Sequence, residues 1–305
     1  MPPKLKISLS DLFSIYHAAA QSNDGHRCMI APSPEIREQL KHELKRLKEL
    51  TSNEMLSNLL TPRQNTRLGL NDGLIYPGNV FPIGTSASAI RTRSAQRAPL
   101  RGNIKVVVLL IDFPDKKISL SKKNYEDLFF SKGVIPTGSV REYFNEVTNG
   151  LINIEGEVVG PLMMPKKISY YANGQSGMSN AQPNARTMAL DAAKAANPKI
   201  DFSKYDNDEN GYVDAFILIH AGRGAEETAA KNDIWSHKWV LPNEFNADGT
   251  KIFAYLTVPE DCKLGVCAHE LGHLLFGFPD LYDTDYSSEG LGEWCLMAGG
   301  SWNNQ

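Results

Sequence analysis

The stretch Cys267 to Asp283, CAHELGHLLFGFPDLYD, holds two histidines four residues apart, with a glutamate directly after the first. Apolar residues surround these polar ones, which predicts a helix buried in a core. Residues four apart lie on one face of a helix, so the imidazoles of His269 and His273 can bind one cation, and Glu270 can face a water molecule there. The pattern predicts catalytic zinc as cofactor, with Glu270 as the base of a hydrolytic reaction.

A third metal ligand is expected after the helix. Gly277 permits a left-handed exit that turns the chain back toward the metal. Asp280 and Asp283 follow this turn. Either carboxylate can complete a zinc site beside two imidazoles, and the other can then accept a hydrogen bond from a ligating histidine. The residues leave both alternatives open.

Met297 lies further along, in the glycine-punctuated turn from Gly292 to Trp302. A buried methionine usually only fills space. A zinc-binding helix, a glycine turn, an acidic ligand and then a methionine turn is, however, the order of elements in metzincin-type peptidases. Between the last two elements, Tyr286 is a candidate donor to an oxyanion.

The first third of the chain differs from the rest in its sequence pattern. Residues 34–60 carry apolar side chains at helical spacing, with Ser33 as the expected N-cap and Pro34 in the first turn. We interpret residues 1–82 as a mainly helical segment. Residues 83–101 are rich in Ser, Ala and Arg, which is typical of an exposed linker and makes them a candidate cleavage region.

Residues 102–305 predict an α/β domain with a mixed, twisted sheet, because apolar strands alternate with amphipathic helices. Phe253 to Val258 is a further strand, along which we expect an extended substrate to add by strand pairing. The remaining predicted elements are strands at 104–111, 152–159 and 215–220 and helices at 139–147 and 183–196.

Composition excludes several classes of partner. The net charge is −3, so no overall field favours nucleic acid. The sequence contains no run of 18 apolar residues that could span a bilayer. The N-terminus lacks a clear signal peptide, because polar residues interrupt its apolar stretch. These features predict no nucleic-acid partner and no membrane span, and they leave the oligomeric state undetermined.

An acidic loop at 206–214 predicts a second, structural metal. Its spacing matches the first positions of a calcium loop, although Ile217 stands where an EF-hand has glutamate. The alternative is a simple polar turn. The expected calcium ligands are Asp206, Asp208, Asn210 and Asp214.

The four cysteines suggest two kinds of role. Cys28 lies in the N-terminal segment, where its thiolate can occupy the open position of the zinc and keep the enzyme latent. The alternative is a buried or disulfide-linked cysteine. Cys267 can pair with Cys295 in an exported protein, and Cys262 is the competing partner of Cys267.

These motifs together resemble the immune inhibitor A-like family of metallopeptidases, in which HExxH precedes a Gly-x-Pro-Asp-x-Tyr-Asp stretch and a Leu-Met-x-x-Gly-Ser-Trp turn. This sequence has HELGHLLFGFPDLYD and CLMAGGSW. The likeness extends from VVVLLIDFPDK through SVREYFNEVTNG and GEVVGP to DIWSH, over roughly residues 100–305, and includes an N-terminal pro-segment.

The resemblance implies a metzincin-like catalytic domain that cleaves protein or peptide substrates. It implies His269 and His273 as zinc ligands, Glu270 as base, Asp283 as third ligand and Met297 beneath the metal. Three residues separate His273 from Gly277, where the family typically has two, so Asp280 stays an alternative third ligand.

Family members are secreted zymogens, which implies an extracellular location, with the cytoplasm as the alternative. They often carry further domains, and this chain ends eight residues after Met297. We therefore expect a truncated catalytic domain. The competing functional hypotheses are a catalytically silent zinc-binding or adhesion module and an amide hydrolase that acts on small molecules.

Overall fold

The computed structural model of the protein describes residues 27–50, 84–86, 88, 89, 92, 100–283 and 288–303. Most of the predicted linker at 83–101 and Tyr286 lie outside the described residues. Among the described residues, no helix is long and apolar enough to cross a membrane.

The chain forms an α/β structure around one mixed sheet. Its strands are β1 (Cys28–Met29), β2 (Gly102–Asp112), β3 (Ile152–Met163), β4 (Phe216–His220), β5 (His237–Ala247) and β6 (Thr250–Pro259). The α-helices are α1 (Pro34–Leu50), α2 (Lys122–Phe130), α3 (Val140–Val147), α4 (Ile168–Ala172), α5 (Ala185–Ala196), α6 (Ala225–Thr228) and α7 (Leu264–Phe276). Short 3-10 helices lie at Phe202–Tyr205, Gly292–Trp294 and Gly299–Trp302.

The six strands are ordered β1-β5-β6-β4-β2-β3. Strands β3, β2, β4 and β6 run parallel to one another, whereas β5 is antiparallel to β6 and β1 is antiparallel to β5. The central strands β2 and β4 are buried along most of their length. This burial explains their continuous apolar sequence, since helices and loops cover both faces of a parallel sheet.

Local signals predicted these elements well. Helix α3 begins after Ser139, whose side chain accepts a hydrogen bond from the backbone of Glu142. Helix α5 has Asn184 in the same capping role. Helix α1 begins at Pro34, as its N-terminal proline predicted.

The strand expected to receive a substrate was assigned wrongly. Residues 253–258 belong to β6, which is paired with β5 on one side and with β4 on the other. Its backbone is paired on both sides at Leu256 and Thr257, so a further strand cannot add along the whole stretch. The strand that accepts an additional segment is β5, which pairs with β1 from the N-terminal part of the chain.

Candidate metal centre and cleft

Helix α7 carries the two histidines and the glutamate in the core of the domain. His269, Glu270 and His273 are fully buried. The helix contacts β5, β6, α3 and the last 3-10 turn, which buries its apolar side chains on several sides. Gly277 ends it in the left-handed conformation, with φ of 65°, as the sequence predicted. The chain then turns back toward the histidines.

The two imidazoles point one nitrogen each at a common centre. The Nε2 atoms of His269 and His273 lie 3.0 Å apart. Their Nδ1 atoms face backbone carbonyls, Leu296 O at 2.8 Å and Phe278 O at 2.5 Å respectively. These bonds are best made with the proton on Nδ1, which leaves Nε2 as the lone-pair atom that a metal requires.

Asp280 is the carboxylate that the turn brings to this centre. Its Oδ1 atom lies 3.1 Å from Nε2 of both His269 and His273. Burial by itself would raise the pKa of Asp280, but its interactions with the adjacent imidazoles of His273 and His269 lower it to about 2. Asp280 therefore stays ionised at neutral pH.

Asp283 has other partners. Its Oδ2 atom accepts hydrogen bonds from the backbone N–H and the hydroxyl of Ser288, at 2.8 and 2.7 Å. The structure thus brings Asp280 to the imidazoles and engages Asp283 in a local loop contact.

The convergent atoms fit a zinc ion. Four ligand atoms arranged tetrahedrally at zinc distances are roughly 3.3 Å from one another. The three atoms from His269, His273 and Asp280 are 3.0 to 3.1 Å apart. Two neutral nitrogens and one carboxylate oxygen are also a donor set found at catalytic zinc. Only a small expansion would be needed for the ion to enter.

Glu270 lies next to this centre in an environment that opposes its charge. Neither of its carboxylate oxygens has a hydrogen-bond partner among the described residues. Burial raises the pKa of Glu270 well above the ordinary value, and the negative charges of Asp280 and Glu226 raise it further. The charge of Lys238 lowers it in part. A buried carboxylate with a raised pKa is suited to holding and releasing a proton.

Met297 packs against the same helix. A side chain at Gly272 would come within 3.1 Å of the Met297 sulfur, so the glycine is what allows this close approach. The backbone carbonyl of Met297 accepts a hydrogen bond from the N–H of Leu281 at 2.7 Å. The methionine turn therefore links α7 to the loop that carries Asp280.

The N-terminal segment enters the cleft beside these residues. A Cys28 ligand atom lies within 4.8 Å of ligand atoms of His273 and Asp280. Strand β1 holds it there through pairing of Cys28 with Lys238 and of Met29 with His237. The sequence contained no periodic signal for a strand of two residues, so this pairing was not predicted.

The cysteines form no disulfide, and each of the four is among the described residues. Cys262 makes a side-chain hydrogen bond with Cys267, which contributes to a raised pKa of the Cys262 thiol. Of the two partners considered for Cys267, Cys262 is the one that this contact supports.

The acidic loop also gathers carboxylates. Ligand atoms of Asp206, Asp208 and Asp214 lie within 4.8 Å of one another. The Asn210 side chain accepts a hydrogen bond from the N–H of Tyr212 at 2.9 Å, a contact that shapes the loop. Three of the four predicted calcium ligands, Asp206, Asp208 and Asp214, thus lie together, and hydrogen bonds between Asn207 and Lys105 fix the loop to β2.

Comparison with known proteins identifies the family. Residues 96–305 match the model of the immune inhibitor A peptidase M6 catalytic domain. The chain is similar to Immune inhibitor A from Bacillus thuringiensis subsp. alesti, with 31% identity over 74% of the chain and 41% of that protein. It is also similar to Pre-pro-metalloprotease PrtV from Vibrio cholerae serotype O1, with 32% identity over 65% of the chain and 27% of that protein. The chain thus spans less than half the length of these relatives, and it belongs to the immune inhibitor A family of M6 peptidases.

Proposed function

We propose that this protein is a zinc-dependent endopeptidase that hydrolyses peptide bonds of protein substrates. The observation that carries the proposal is the meeting of His269 Nε2, His273 Nε2 and Asp280 Oδ1 within 3.1 Å of one another, with the buried carboxylate of Glu270 beside them. Family membership and the metalloprotease named among its relatives support the same reaction.

His269, His273 and Asp280 would hold the zinc. Asp283 would stay outside the ligand set and accept a hydrogen bond from Ser288 in the loop after the helix. Bound zinc supplies a Lewis acid that polarises a peptide carbonyl and lowers the pKa of water toward neutrality. Glu270 accepts the proton of the attacking water and delivers it to the leaving amine nitrogen. The bonds from Leu296 and Phe278 carbonyls keep both imidazoles oriented during these proton transfers.

The protein is proposed to be made in a latent form. Residues 1–82 act as the pro-segment, the linker at 83–101 contains the cleavage region, and residues 102–305 carry the catalytic domain. The position of Cys28 beside His273 and Asp280 supports a role for its thiolate in latency. The pre-pro form named for the Vibrio relative favours a zymogen that acts outside the cell.

A structural calcium ion at the acidic loop is a further part of the proposal. Asp206, Asp208 and Asp214 would supply carboxylate oxygens, in accord with the preference of calcium for such ligands. Equilibrium dialysis against calcium, with Asp208→Asn as the comparison, tests this part independently of the peptidase activity.

The decisive experiment uses the full chain before and after limited trypsin cleavage in the arginine-rich linker. We expect about one bound zinc per chain and casein cleavage that rises after trypsin treatment and is absent in Glu270→Ala. Residual trypsin is inhibited, and the Glu270→Ala sample is treated identically as a control. Zinc-loaded protein that cleaves no better than Glu270→Ala would favour the silent binding module. Cleavage of small acyl amides without casein cleavage would favour the small-molecule hydrolase.

A further inference from the structure

Three consecutive carbonyls of the N-terminal segment receive hydrogen bonds from three side chains of the catalytic domain. The Met29 carbonyl accepts from the hydroxyl of Tyr282 at 2.7 Å. The Ile30 carbonyl accepts from Nε1 of Trp235 at 2.9 Å, and the Ala31 carbonyl accepts from Nε1 of Trp302 at 3.0 Å. We call Tyr282, Trp235 and Trp302 the carbonyl donors.

The carbonyl donors come from three separate parts of the fold. Tyr282 follows α7 in the loop of Asp280, Trp235 precedes β5, and Trp302 ends the last 3-10 helix. Tyr282 and Trp235 are nearly buried, with 8% and 2% of their surface exposed. Aromatic side chains with two torsions lose little entropy when they bind, so they are suited to serve as fixed donors.

The segment that they hold lies extended along β5. Besides the pairing of β1 with β5, the N–H of Ile30 donates to the Ser236 carbonyl at 3.2 Å. The segment passes the metal centre at Cys28, one residue before the carbonyl that Tyr282 binds. Main-chain groups of the segment thus bind both to backbone groups in and next to the edge strand β5 and to side-chain donors.

These contacts use groups that every peptide has. Leaving a donor without a partner in a desolvated site costs about 1–3 kcal/mol. The tryptophan N–H groups therefore favour the binding of another carbonyl when the segment leaves. An extended substrate chain along β5 would present the same row of carbonyls.

We propose that Tyr282, Trp235 and Trp302 form a binding site for the main chain of an extended peptide substrate, each donating to one of three consecutive carbonyls. This inference rests on the proposed peptidase function and adds the substrate class: an extended polypeptide, recognised over three residues through its backbone. Selection by side chains is correspondingly weak at these positions.

The first test asks whether the donors hold the segment. In the full chain, Tyr282→Phe, Trp235→Phe and Trp302→Phe each remove one donor. Loss of a hydrogen bond worth about 1 kcal/mol should accelerate hydrogen exchange of residues 29–33 roughly fivefold. Tyr171→Phe is the matched control, because its hydroxyl bonds to Asp191 instead. Unchanged exchange in all three donor variants would overturn the proposal.

The second test measures peptide binding with the segment displaced. If the segment stayed in place, each substitution would weaken the binding of the segment and of the competing peptide alike, and the two effects would cancel. Ile30→Pro removes the N–H that bonds to Ser236, and Glu270→Ala prevents turnover. The probes are a heptapeptide with the sequence Arg27 to Ser33 carrying Cys28→Ser, and an unrelated casein heptapeptide.

With this double variant as reference, removal of each donor should weaken the Kd for both peptides about fivefold, whereas Tyr171→Phe should leave both unchanged. Exchange of residues 29–33 confirms that the segment is released in the reference protein. Equal Kd values with and without the donors would overturn the inference. This test measures binding without catalysis, so its result does not depend on whether the protein is a peptidase. The casein assay alone tests the peptidase proposal.

Discussion

Cys28 and His273 are separated by more than two hundred residues in the chain, yet their metal-ligand atoms lie within 4.8 Å. Cys28 is nearly buried, at 2% exposure, and β1 pairing fixes its backbone. A thiolate at that point would compete with water for the open position of a zinc ion.

We therefore expect Cys28→Ala to raise casein cleavage by the uncleaved full chain on the order of tenfold, equivalent to about 1.4 kcal/mol. The measurement is the initial rate before any linker cleavage, checked by gel at each time point. Cys262→Ala is the control, since that thiol contacts Cys267. Equal rates for wild type and Cys28→Ala would contradict a role of Cys28 in latency and indicate that it only packs in the core.

The two aspartates should differ sharply in metal binding. Asp280→Asn removes an oxygen that lies 3.1 Å from both imidazoles, whereas Asp283→Asn alters a contact to Ser288. Zinc affinity, measured by competition with a chelator, should fall more than 100-fold in Asp280→Asn, because even partners outside the ligand set cost 10- to 100-fold. We expect at most about tenfold for Asp283→Asn. The reverse order would assign the third ligand to Asp283.

Glu226 predicts a pH dependence of stability. Its carboxylate is 1% exposed and accepts hydrogen bonds from the backbone and the hydroxyl of Ser236. Burial raises its pKa to about 7. The folded state therefore holds this proton more tightly than the unfolded state, in which the carboxyl has its ordinary pKa of about 4.5. The stabilisation is complete below about pH 4.5 and is lost as pH rises through 7, amounting to at most about 3 kcal/mol.

Glu226→Gln keeps an oxygen that accepts hydrogen bonds from Ser236, but its side chain does not titrate. The difference in unfolding free energy between variant and wild type should therefore grow in favour of the variant from pH 5 to 8. Urea unfolding across this range measures it, with the surface variant Glu227→Gln for comparison. A constant difference would show that Glu226 is not the group responsible.

Arg27 should anchor the segment that fills the cleft. Its guanidinium donates to the Met178 carbonyl at 2.8 Å and lies 5.1 Å from the ring centroid of Trp239. Arg186 stacks on the same ring at 5.0 Å. We expect Arg27→Ala to destabilise docking by about 1–2 kcal/mol, seen as a 5- to 30-fold faster hydrogen exchange of residues 28–31.

The hydrogen-exchange rate of Arg27→Lys should lie between those of the wild type and Arg27→Ala, because lysine keeps the charge but not the planar guanidinium. Arg46→Ala is the control, since Arg46 pairs with Glu43 on the surface of α1. Exchange that is equally fast in Arg46→Ala and Arg27→Ala would contradict a specific anchoring role.

Much of the architecture was predictable because its signals are local. The caps at Ser139 and Asn184 and the stop at Gly277 each act within a few residues. The buried strands β2 and β4 carry continuous apolar runs. The expected strand addition failed at β6 because sheet order depends on pairing between distant segments, which no single strand encodes.

The sequence by itself determined the spacing of His269, Glu270 and His273, since a helix converts a separation of four residues into a shared face. Only the tertiary structure decided which aspartate meets them. The bend at Gly277 and the bond from Leu281 to the Met297 carbonyl direct Asp280 inward, and Asp283 turns to Ser288. The tertiary structure likewise decided that Cys28 enters the cleft, because a two-residue strand is stabilised by partners far away in the chain.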